Sequence, residues 1–443
     1  MISVQKLLEY SIAWNALESI CYQLILFSHQ YATYQVLTGA QYGIIGTCFS
    51  LIYLAITISN VGLDYSIGPF FSFAASSREN AWRIIGKPLI VHLCSIGTIG
   101  IIASQCAPYI WPTTASMPLI ILALIFLSES LKKTVRTLLH CAFKNSLTTL
   151  IELMTITSYI CSVWSFYFLG YDLNIYTIFY PMMITSWVSL LVLSIVTYQW
   201  YCNLPAQGII PPPHRRIIKH RIYSYGSQLS TLFFSTNFLV PLFAWKFGIE
   251  YAAVLKLISY FSYFIHTLMY KIFGVSLQAC FSALKLEEVG IKRQFFASIT
   301  NRLYQILYGI FIFFAINHQQ ILSLKSMPSH HSLALVGYLF LMGTLIENFL
   351  VSYEQLYQTE EKTAYLSILN GVNVAALAIL VFSQVVIDPI AFLCTFIALR
   401  ICTIIGIAAG AFHLWRIRFE WKPQAKPIFC FISASLFFFF LTT

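Results

Sequence analysis

Ionisable residues stand inside long apolar stretches of this sequence, among them Glu18, Glu129, Lys256, Glu347 and Arg400. In a lipid-facing segment each such charge costs about 2.5–3.5 kcal/mol on insertion, so each needs a partner or a task. A carboxyl at membrane depth can carry a proton or bind sodium, which makes Glu18, Glu129 and Glu347 candidates for ion coupling. They can equally pair with Arg400 or with the basic run Lys132, Lys133 and Arg136. Arg400 has two readings of equal weight: contact with a polar ligand, or an internal ion pair with Glu347 that locks two helices. Lys256, about one turn from a helix end, either faces a cavity or snorkels to the interface. Arg136 is the best placed of its run for a cavity mouth. Glu152 and Asp64 read as structural. Gln228, Asn237, Asn370 and Asn373 line a polar path or bond between helices. Pro241, four residues after Asn237, is expected to kink its helix and mark a gating segment.

The elements that must position these residues follow from composition. Of 443 residues, 58% are apolar and 9% charged. Soluble domains carry about 25% charge, so lipid must be the solvent for most of the chain. Apolar blocks of about 20 residues match a hydrocarbon core roughly 30 Å thick. They place twelve helices at 10–31, 43–67, 88–108, 117–139, 147–169, 175–199, 223–244, 251–273, 297–317, 332–354, 364–384 and 389–413. The run 427–441 is either a short thirteenth span or a helix lying in the interface. The first apolar stretch, Ile12 to Ala32, reads as a membrane helix rather than a cleavable signal. With the N-terminus inside, 22 of the 26 Lys and Arg fall in inner segments, and Lys246 and Lys325 alone in outer ones. That asymmetry fixes a multi-pass topology with a cytoplasmic N-terminus. Trp111, Trp200, Tyr201, Trp245, Trp415 and Trp421 fall near helix ends, where aromatic belts form.

The fold class expected is therefore all-α and polytopic, with two parallel six-helix bundles around a central cavity. The first bundle covers 1–200 and the second 223–415, with a basic, proline-rich cytoplasmic linker at 201–222 and a basic tail at 416–443. The linker holds Pro211-Pro212-Pro213, which no continuous helix tolerates. A weak repeat supports the split. Gly39-Ala-Gln-Tyr42 and Gly248-Ile-Glu-Tyr251 stand 209 residues apart, with Ser50 and Ser259 at matching spacing. Both copies lie in outer loops, which makes the halves parallel repeats.

The stretch Gly39 to Phe73, GAQYGIIGTCFSLIYLAITISNVGLDYSIGPFFSF, resembles the second-helix region of the multidrug/oligosaccharidyl-lipid/polysaccharide (MOP) exporter superfamily, polysaccharide flippase branch. Its closing Gly62-Leu63 turn and the second copy at Gly248 carry the likeness. The resemblance implies a monomeric bacterial inner-membrane transporter. It would flip a lipid-linked oligosaccharide from the cytoplasmic to the outer leaflet by alternating access, coupled to H+ or Na+. Under it, Arg400, Lys256, Arg136, Asn237, Gln228, Asn370 and Asn373 become contacts for the substrate's phosphate or sugar. A cationic cavity suits a pyrophosphate head.

Other classes have less support. A drug/cation antiporter of the same fold would favour acidic over basic cavity residues. A membrane polymerase or ligase needs a substantial polar outer loop, and the loops between helices 1–2, 3–4 and 5–6 are short and lack Lys and Arg. There is no HExxH, nucleophile elbow or phosphate-cradling glycine loop, so neither catalysis nor a cofactor is expected. The 11 cysteines include no CxxC pair. The +10 net charge sits in short loops, which points to topology rather than to nucleic acid.

Overall fold

The computed structural model describes residues 4–110, 119–142, 144–269, scattered positions between 294 and 312, and 331–359, 362–382 and 388–415. The expected run 427–441 lies outside these residues, as do the basic positions Lys271, Lys285, Lys292, Arg293, Arg302, Lys325, Arg416, Arg418, Lys422 and Lys426.

Almost every described residue is helical. The first helices are α1 (Val4–Val36), α2 (Gly39–Ser59), α3 (Leu63–Ala74) and α4 (Arg78–Ala81). A π turn, Trp82–Gly86, joins α4 to α5 (Lys87–Ile110). Then come α6 (Leu119–Cys141), α7 (Asn145–Phe168), α8 (Ile175–Cys202), α9 (His214–Leu232), α10 (Thr236–Lys246) and α11 (Ile249–Met269). Beyond the helical positions near 294–312 lie α12 (His331–Ile346), a 3-10 turn Glu347–Leu350, and α13 (Val351–Thr359). The last two are α14 (Thr363–Phe382) and α15 (Pro389–Trp415). Among the described residues, seven helices are long and apolar enough to cross a membrane.

The apolar blocks locate the helices, and local chemistry sets their ends. Thr38 opens α2 with a capping box: its hydroxyl accepts from the Gln41 amide, and Gln41 Oε1 accepts from the Thr38 amide. Such caps contribute about 1 kcal/mol. Both copies of the short repeat open a helix, Gly39 at α2 and Gly248 just before α11. Gly43 is needed one turn into α2, because a Cβ there would lie 2.4 Å from the Ile249 carbonyl oxygen.

Three expected helices are broken. The span expected at 43–67 divides at Gly62, whose φ of +73° is left-handed. A Cβ at Gly62 would also sit 2.7 Å from the Arg221 carbonyl oxygen. The span expected at 223–244 starts earlier, at His214 directly after the three prolines, and breaks between Leu232 and Thr236. Pro241 lies within α10, downstream of that break. The span expected at 332–354 tightens into the 3-10 turn at Glu347.

The chain forms two compact units, Met1–Ala253 and Val254–Thr443. In the first, α6 packs along α8 and α2, α1 along α7, and α10 along α2. One apolar core gathers Leu63, Ile67 and Phe70 of α3, Ile84 and Ile85 of the π turn, Leu138 of α6 and Ile217 of α9. In the second, α15 packs against α12 and α14.

Candidate functional site

Helix α6 carries a polar stripe. Glu129, Lys132, Arg136 and His140 recur at spacings of three or four residues, so they share one face. That face is turned inward: Lys132 is 7% exposed and its neighbours Glu18 and Glu152 are 3% and 2%.

Lys132 and Arg136 on this face each have counter-charges. Lys132 Nζ lies 2.7 Å from Glu129 and 3.7 Å from Glu152 of α7. Arg136 Nη1 is 3.9 Å from Glu152 and 4.0 Å from Glu18 of α1. His140 Nε2 is 3.9 Å from the other oxygen of Glu18. Hydroxyls complete the shell: Thr149 donates to Glu18 at 3.3 Å and Ser186 of α8 to Glu129 at 2.7 Å. On the next face of α6, Lys133 lies 3.7 Å from Asp64 of α3, and Thr134 donates to the same carboxylate. Burying charges in this way is tolerated only when partners and hydrogen bonds compensate desolvation.

Two histidine bridges reinforce the unit. Trp164 Nε1–H donates to His29 Nδ1 at 3.2 Å, and His29 Nε2 meets the Tyr159 hydroxyl at 3.3 Å. Indole nitrogen only donates, so the His29 proton sits on Nε2. His92 Nδ1–H donates to the Ser59 carbonyl at 2.7 Å, and its Nε2 meets the Ser130 hydroxyl.

In the second unit, Arg400 Nη2 lies 2.6 Å from Glu347 Oε1, joining α15 to the 3-10 turn. His266 Nδ1 meets Asn348 Oδ1 at 3.1 Å on the same turn. Tyr304 donates to the Phe349 carbonyl and Asn348 Nδ2 to that of Leu345. Asn373 of α14 donates to Thr403 of α15.

The sequence candidates thus fall into groups. Glu18, Glu129 and Arg136 come together in the first unit, and Glu347 and Arg400 pair in the second, so all three acids face bases. Asn370 is buried one turn from Asn373 on α14. Lys256 is 5% exposed, within a buried run of α11, with Nζ 5.2 Å from the Tyr260 ring centre. Gln228 and Asn237 are half-buried on the two helices flanking the break before Thr236. Sequence reasoning missed His140 and Ser186 and took Glu152 as merely structural. The four-residue spacing Lys132, Arg136, His140 was the signal for a single basic stripe.

No protein-family profile matches the sequence, and no curated protein matches it. Solved structures do. The inward-facing conformation of a multidrug resistance MATE family transporter of the MOP superfamily superposes with a TM-score of 0.65 at 14% identity, covering 94% of this chain and 96% of its own. The outward-facing conformation gives 0.59 at 14% identity over 92% and 96%. A Pyrococcus furiosus MOP superfamily transporter, for which a reversed binding-pocket polarity is said to suggest a different function, gives 0.50 at 13% identity over 91% and 95%. The chain therefore has the all-helical fold of the MATE transporters of the MOP superfamily.

Proposed function

We propose that this protein is an ion-coupled membrane transporter working by alternating access, with a lipid-linked oligosaccharide as its substrate. The observation that carries the transporter reading is the likeness, along nine-tenths of the chain, to both an inward-facing and an outward-facing transporter. A bulky polar head cannot cross hydrocarbon unaided, and alternate exposure of a polar cavity moves it while the lipid tail stays in the bilayer. The saccharide reading is supported by the buried bases Lys256 and Arg400, chemistry suited to a phosphate-bearing head. Arg136, Gln228, Asn237, Asn370 and Asn373 are the further contacts, and Glu18, Glu129 and Glu347 the coupling acids. Pro241 deprives α10 of one backbone hydrogen bond and is the proposed gating point. The asymmetry of Lys and Arg supports an N-terminus in the cytoplasm, and the flippase resemblance supports a bacterial inner membrane.

A second reading, a drug/cation antiporter, is favoured by the description of the MATE neighbours as multidrug resistance transporters. One experiment separates the two. The protein is depleted in its host, and lipid-linked sugars are assayed by leaflet. Accumulation on the cytoplasmic leaflet, reversed by wild type, is expected. Unchanged pools with altered sensitivity to cationic drugs overturn the saccharide reading in favour of antiport. Build-up on the outer leaflet overturns both in favour of a polymerase.

A further inference from the structure

His140 ends the polar stripe of α6 beside the Glu18 carboxylate. Three carboxylates, Glu18, Glu129 and Glu152, face two permanent cations, Lys132 and Arg136. Among the described residues, His140 is a further basic group within 4 Å of Glu18. The Asp64–Lys133 pair on the adjacent face is balanced by itself.

The hydrogen bonds around the ring decide where its protons sit. His140 Nδ1 lies 3.0 Å from the Asn145 side-chain oxygen at the start of α7. An amide oxygen only accepts, so Nδ1 carries a hydrogen. In a neutral imidazole that leaves Nε2 without a hydrogen, 3.9 Å from a carboxylate oxygen. A second proton on Nε2 turns that repulsive contact into an attractive one. The described groups facing Glu18 include Arg136 and His140 from α6 and Thr149 from α7, with Glu152 sharing Arg136. The His140 side chain is 25% exposed and that of Glu18 is 4%, so the ring lies between the protein surface and a sealed carboxylate.

We propose that His140 Nε2 and the Glu18 carboxylate together form one proton-binding site, with His140 its point of entry. A proton from water binds the Nε2 lone pair, and the imidazolium is held by Glu18 on α1 and by Asn145 on α7. No other reactant is needed. This takes the coupling ion of the proposed transporter to be a proton and rests on that reading for its use. The binding itself is measurable without transport.

The test is nitrogen NMR of the full-length protein, labelled with 15N-histidine, in lipid nanodiscs. The His140 signal is assigned by its loss in His140→Gln. The neutral ring is expected to carry its hydrogen on Nδ1, the opposite of the form free imidazole side chains favour. Glu18→Gln should lower the His140 titration midpoint by about one unit, the low end for an opposite charge within about 4–6 Å, because the ring is partly solvated. Asn145→Leu supplies an independent variant if Glu18→Gln fails to fold, and should return the neutral ring to the Nε2 form. A neutral wild-type ring protonated on Nε2, or a midpoint indifferent to Glu18→Gln, overturns the proposal. Either result leaves the transporter reading standing, just as unchanged lipid-linked sugars would leave this site standing.

Discussion

Replacing Glu347 by methionine should strand Arg400. The guanidinium lies 2.6 Å from the carboxylate, and the two side chains are 4% and 21% exposed. Removing one partner of a buried ion pair costs about 3–5 kcal/mol, since the surviving charge stays desolvated. Glu347 keeps a fifth of its surface, so the gap is open on one side and the lower figure, about 3 kcal/mol, applies. Arg400→Met should cost less, because the partly exposed carboxylate can protonate or hydrate. The double variant should return to within about 1 kcal/mol of wild type, as apolar replacements of buried pairs often do. Thermal or denaturant unfolding of the full chain in detergent measures each corner of the cycle. A coupling energy below about 0.5 kcal/mol would refute the pairing as a stabilising unit. The same double variant tests whether the pair has a task beyond stability. If it folds and transports, the pair is a lock between α15 and the 3-10 turn; if it folds without transporting, transport needs Arg400 as a substrate contact or Glu347 as a coupling acid.

Further perturbations test the rest of the molecule. Lys132→Met removes the cation 2.7 Å from Glu129 and 3.7 Å from Glu152, and should destabilise by about 3–5 kcal/mol in the same unfolding assay. Gly43→Ala places a methyl 2.4 Å from the Ile249 carbonyl oxygen and should cost about 1–3 kcal/mol, whereas Gly39→Ala meets nothing within 4 Å and should be far milder. Pro241→Ala restores the missing backbone donor of α10; slowed substrate exchange is expected, and an unchanged transport rate would rule the residue out of gating.

The helices were legible because lipid demands long apolar blocks, and charge asymmetry orders them. Their interruptions were less so. Gly62-Leu63 was recognisable as a turn, yet its left-handed backbone is settled by the close approach of Arg221 from α9, a tertiary fact. The break before Thr236 has no proline at its centre, and Pro241, the obvious breaker, sits inside a helix. Buried acids and bases could be named from sequence, as could Arg400 with Glu347. Which carboxylate meets which base in the first unit depends on how α1 and α7 lie along α6, so Glu152 and His140 escaped. The His29 bridge escaped likewise, although His29 stands eleven residues, about three turns, after Glu18 and so shares its face.

The 3-10 turn at Glu347–Leu350 also changes the phase of the rod it interrupts. Each residue there turns about 120° rather than about 100°, so four residues add about 80° of rotation and about 2 Å of length. The outward stripe of α12 and that of α13 are therefore out of register. A lipid-accessibility scan along 331–359 should show two periodic patterns offset by nearly a quarter turn, with the discontinuity at the residues bonded to Arg400, His266 and Tyr304.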